Sequence, residues 1–151
     1  MRRFLVPLVA ALALAAPAAA ATNLPDVTKI NGKVPPGTPT FAFKSEVLSR
    51  GRIGHGDETV VIRTTRLAGT RAPIHTHDHG GTTCVLQGQM TLYMQGHEPM
   101  TARAGQCYFM PRGHLMTGVN SGKRTAVMLD IFTVPIGAPT WTPREPGFRD
   151  Q

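Results

Sequence analysis

From Glu58 to Ala68 the chain reads ETVVIRTTRLA, β-branched and partly alternating between apolar and polar positions. That period of two is the signature of a strand with one buried face. The same signal predicts strands over Thr40–Leu48, through the histidine-bearing segment 75–79, and over Thr82–Gln87. Shorter strands are expected at Met90–Met94, Glu98–Arg103, Gln106–Met110 and His114–Val119. Arg124–Val134 (RTAVMLDIFTV) is the longest apolar run after the N-terminal segment. Turns are expected between them: a Gly-rich one over Ser49–Asp57 that contains His55, others at Ala104-Gly105, Pro111-Arg112-Gly113 and Asn120-Ser121-Gly122. Gly88-Gln89 should close VLQGQMTLYM into a hairpin. No stretch has the period of a long amphipathic helix. Short strands punctuated by Gly and Pro predict an all-β sandwich or barrel in one domain.

The two ends read differently. Met1-Arg2-Arg3 is a cationic head, Phe4–Ala15 is apolar but short for a bilayer, and Pro17–Ala21 supplies small residues for cleavage. Residues 1–21 are therefore expected to be a secretory signal peptide, leaving 130 of the 151 residues in a periplasmic or secreted protein with no stable membrane anchor. Residues 22–57 should form an extended arm and the first strand, 58–134 the barrel, and 135–151 a Pro-rich tail over the surface. Without Arg2 and Arg3, 14 basic residues face 9 acidic ones. This scattered net charge of +5 favours small anionic ligands. A nucleic-acid surface would cluster its cations beside exposed aromatics, and no such run occurs. Cys84 and Cys107, the only cysteines, are either a disulfide, which an exported protein permits, or two buried thiols.

The candidate chemistry centres on His75-Thr76-His77-Asp78-His79, which holds half of the six histidines. On a strand His75 and His77 face one way, and His79 joins them if the strand continues. Converging imidazoles make a metal site or a proton-handling pocket. Met90, Met94, Met110 and Met128 are read chiefly as barrel filling, although thioether sulfur beside imidazole also suits copper, and Met116 is excepted from the filling reading. Tyr93 and Tyr108 are expected to pack in the core. Asp130, among Val127, Met128, Leu129, Ile131 and Phe132, is expected to pair with an arginine at a strand edge. The alternative is that it lines the barrel as an acid or base.

Two blocks resemble the motifs of the cupins. The first has Gly69, five residues, His75-x-His77, and Gly88 at the end. The second has Gly105, five residues, Pro111-x-Gly113, and Asn120. The resemblance covers roughly Glu58–Val134 and implies a single-domain jelly-roll β-barrel. Cupin metals normally sit on three histidines and one glutamate. Here the carboxylate position holds Gly81 or Thr82, and the second motif's histidine position holds Met116. His79 and His114 stand two residues from the vacant positions and are candidate substitutes. The expected metal set is therefore His75, His77 and His114, completed by His79 or water. The resemblance implies a divalent transition metal (Fe, Zn, Ni, Mn or Cu), a small ligand in the barrel and a homodimer. It is compatible with an oxygenase-like enzyme or a non-catalytic binder. Because ligation needs neutral imidazole, metal affinity is expected to fall below about pH 6.

Overall fold

A computed structural model describes residues 25–148, so the expected signal peptide lies outside the described residues. Two sheets face each other. The first is antiparallel throughout, in the order β2 (Lys44–Gly54), β3 (Asp57–Arg66), β11 (Ala126–Pro135), β6 (Gly81–Gln87) and β9 (Cys107–Met110). The second runs β1 (Thr38–Pro39), β4 (Thr70–Arg71), β10 (Met116–Val119), β5 (His75–Thr76) and β12 (Thr142–Pro143). Its other two members are β7 (Gln89–Met94), which pairs with β10, and β8 (Met100–Arg103), which pairs with β7. No described helix is long and apolar enough to cross a membrane. The all-β expectation holds.

Strand parity decides what faces inward. Ile62 opposes Asp130, Thr64 opposes Met128 and Arg66 opposes Ala126 across the β3–β11 ladder. Thr83 and Val85 meet Asp130 and Met128 from β6. These inward rows, with Met90, Leu92, Tyr108, Met110 and Met116, fill the space between the sheets. Methionine is common there because an unbranched thioether fills irregular gaps.

Three expectations about the chain's course need correction. Ser49–Asp57 is largely strand, because the turn is confined to His55 and Gly56, both at positive φ (50° and 84°). That is the two-residue hairpin geometry whose twist suits antiparallel strands. VLQGQMTLYM is not a hairpin, since β6 pairs with β11 and β9 while β7 pairs with β10 and β8. Gly88, at φ 79°, instead turns the chain from one sheet to the other, which lets Val85 and Met90 both point inward. Nor does the tail merely cover the surface: β12 pairs with β5, and buried Glu145 accepts both Nη groups of Arg71 at 2.6 and 2.7 Å. Of the two cysteine readings the disulfide is the one formed, linking Cys84 and Cys107 directly across β6 and β9.

Candidate functional site

The space between the sheets contains a cavity of about 260 Å³. Its walls are mostly apolar: Met90, Leu92, Met110, Met116, Met128 and Phe132, with Phe41 and Trp141 brought in from the arm and the tail. Into this wall project His75, His77, Arg66, Asp130 and Tyr108. Few polar groups in an apolar concavity is the usual constitution of a small-molecule site.

The two histidines are held from behind. His75 Nδ1–H donates to Pro73 O at 2.7 Å, and His77 Nδ1–H donates to Thr140 O at 2.7 Å. Each backbone carbonyl fixes its ring's tautomer and leaves the Nε2 lone pair facing inward. The two Nε2 atoms lie 3.1 Å apart. Trp141 packs edge-on to His75 at 5.1 Å, and Phe132 stacks on His77 at 5.0 Å. Burial pushes the His75 pKa down to about 3, with the neighbouring His77 adding to the effect. Burial lowers His77 as well, against the bond to Thr140 and the nearby charge of Asp130. Both rings are thus neutral near pH 7, with their Nε2 lone pairs on neighbouring atoms.

The four expected histidines do not gather. The strand carrying His75 ends at Thr76, and the chain bends at Asp78 and His79, so His79 is exposed and absent from the cavity wall. His114 precedes β10 in the turn after Pro111. Its Nδ1 bonds to Arg112 O at 3.1 Å, and its ring lies 6.0 Å from that of His97, again outside the cavity. Among the described residues, no three His, Cys, Asp or Glu side chains are grouped to hold a metal. Met116 does line the cavity, on the strand residue paired with His75.

Gly81 shows why a carboxylate is missing. A Cβ built there would lie 2.5 Å from Phe132 Cδ1 and 2.6 Å from Cε1. The Phe132 ring occupies the room an acidic side chain would need and stacks on His77 instead.

Asp130 lies in the cavity wall and not in an arginine pair. Its oxygens accept from the Thr64 and Thr83 hydroxyls, both at 2.6 Å. Burial raises its pKa, with the two hydroxyl bonds opposing the rise. Tyr108 is likewise pushed up by burial and keeps its proton. Sequence reasoning did not single out Arg66, Trp141, Thr140 or Glu145. Arg66 had a usable signal, since it continues the inward row of Ile62 and Thr64. The tail residues had none beyond Trp141 being the sole tryptophan.

Compared with known families, residues 63–132 match the model described as a cupin domain. The chain carries a cupin domain. Solved structures share the fold of this cupin barrel. A Klebsiella pneumoniae protein with a double-stranded β-helix domain is 21% identical with a TM-score of 0.54, covering 79% of this chain and 90% of that one. A DMSP lyase from Ruegeria pomeroyi is 23% identical with a TM-score of 0.54, covering 65% of this chain and 50% of the lyase. A cupin-like protein from Thermotoga maritima is 18% identical with a TM-score of 0.50, covering 58% and 65%. This chain thus spans half the length of the lyase. At these identities the likeness concerns the fold alone. A search of curated proteins found no match.

Proposed function

We propose that this is an exported cupin-domain protein whose barrel holds a divalent transition metal on His75 and His77 and takes a small ligand into the same cavity. The observation carrying this reading is the approach of the two Nε2 atoms to 3.1 Å, each ring committed through Nδ1 to a backbone carbonyl and so carrying its lone pair on Nε2. Two neutral imidazoles arranged this way repel unless a cation or proton lies between or beside them. Burial disfavours the proton. Two metal–nitrogen bonds of about 2.0–2.1 Å, meeting at an angle between about 90° and 110°, span roughly 2.8–3.4 Å, which matches the observed separation of 3.1 Å. Imidazole suits Zn, Cu, Fe and Ni, and the Met116 thioether in the same wall adds a soft donor that suits copper. The Cys84–Cys107 disulfide supports the exported location.

A metal on this pair would supply Lewis acidity toward a ligand oxygen. The chain's own groups do the rest. The apolar wall excludes water, Tyr108 offers a protonated phenol, and Asp130, held by two threonine hydroxyls with a raised pKa, takes up or releases a proton inside the cavity.

One observation favours a second reading, a metal-free binding module: the described residues bring only two imidazoles together, and the carboxylate position is filled by Phe132. Metal analysis of protein purified without an affinity tag separates the two. About one metal per chain, lost in His75→Ala/His77→Ala, supports the metal reading. Equal near-zero metal in both proteins after incubation with Zn, Cu, Fe and Ni supports the metal-free module.

A further inference from the structure

We propose that Arg66 is an anion-binding residue of the cavity and that the ligand is a small organic monocarboxylate with a short apolar body. This rests on the cavity being a ligand site, and it does not require the metal. Arg66 ends β3 in the inward row of Ile62 and Thr64 and is only 5% exposed. Arg66 lines the cavity, and its side chain makes a single hydrogen bond, from Nη1 to Thr40 O at 3.1 Å. Among the described residues no carboxylate pairs with it within 4.0 Å. Arg71, equally buried, is clamped by Glu145.

A buried guanidinium with no carboxylate in contact is costly, and an anion brought by a ligand offsets that cost. The cavity's own carboxylate, Asp130, acts on Arg66 through space but makes no contact with it, its two oxygens accepting from threonine hydroxyls. Burial lowers the Arg66 pKa to about 10, which leaves it charged at neutral pH. A planar fork of N–H donors fits a carboxylate edge. The apolar side chains of the wall, Met90, Leu92, Met116 and Met128, offer contact to a hydrocarbon, and the lining has no Lys or second Arg for a phosphate. At about 260 Å³ the cavity falls below the roughly 300–1,000 Å³ of drug-sized sites, so the ligand is small.

Trp141, the sole tryptophan, lines the same cavity and reports on occupancy. The test titrates butanoate, pentanoate and hexanoate, and their amides, into chelator-treated and zinc-loaded protein, following tryptophan emission and heat. Saturable carboxylate binding in both forms is expected, about 10–100-fold weaker for the amides and for Arg66→Gln. Arg66→Lys, which keeps the charge but not the fork, should bind with intermediate affinity, and it decides the matter if the Gln variant does not fold. Equal affinity of wild type and a folded Arg66 variant, equal affinity for acid and amide, or no binding at all would each overturn the proposal. Carboxylate binding that appears only with zinc and ignores Arg66 also overturns it, while leaving the metal reading intact.

Discussion

Removing the Glu145 carboxylate should unfasten the tail and with it the back wall of the histidine pair. Glu145 accepts Arg71 Nη1 at 2.6 Å, Nη2 at 2.7 Å and the Ile74 amide at 2.8 Å. Arg71 is 2% exposed, and its Nε already lacks a partner. Glu145→Ala therefore leaves a buried guanidinium without its counter-charge, a change that costs about 3–5 kcal/mol. At about 4 °C per kcal/mol for a domain of this size, Tm should fall by about 12–20 °C. The Arg63–Glu46 pair serves as internal control, since its 2.7 Å contact lies between side chains 44% and 40% exposed. Glu46→Ala should cost far less, because an exposed pair is screened by solvent. Replacing both buried partners, as in Arg71→Met/Glu145→Leu, should recover most of the loss. Denaturant and thermal melts measure the stabilities. Trp141 emission should shift to the red in Glu145→Ala, because the tail that seats it on His75 is released. A Glu145→Ala loss no larger than that of Glu46→Ala would refute the view that this pair pins the tail.

Two further outcomes follow from the site. Gly81→Ala should destabilise by about 1–3 kcal/mol through overlap with the Phe132 ring; the loss should shrink in the Phe132→Leu background, and a neutral Gly81→Ala would show that the ring moves freely. Stability should also fall on acidification, before the carboxylates titrate. His75 has a folded pKa of about 3 against an ordinary 6.5, so the unfolded chain binds more protons between those values. The contribution is fully present above about pH 6.5 and declines as pH falls toward 3. In His75→Gln the decline between pH 6.5 and 5 should be shallower, measured by urea melts, and an unchanged slope would contradict a buried neutral ring.

Much of the barrel was legible because its cues are local. Alternation placed β3, a long apolar run placed β11, and the resemblance around Gly69–Gly88 and Gly105–Asn120 pointed to the jelly roll. His75 and His77 share the cavity as their spacing implied. The same parity misled at His79 and His114, since it presumes extended chain, and bends at Asp78–Gly80 and Pro111–Gly113 interrupt it. The hairpin at Gly88 failed for a related reason: a left-handed glycine closes a hairpin or crosses between sheets equally well, and only the packing of Val85 and Met90 decides. Thr140, Trp141 and Glu145 reach the site across more than 60 residues of sequence, with no local periodicity to announce them. Phe132 illustrates the rest. It lies in the apolar run Arg124–Val134, but its occupation of the room beside Gly81 is a matter of volume in three dimensions.

X-ray absorption at the metal edge of the loaded protein tests the central claim most directly. Two imidazole nitrogens at about 2.0–2.1 Å, one of them lost in His77→Gln, is the predicted result. A spectrum with no imidazole scattering, or one unchanged in His77→Gln, would contradict it.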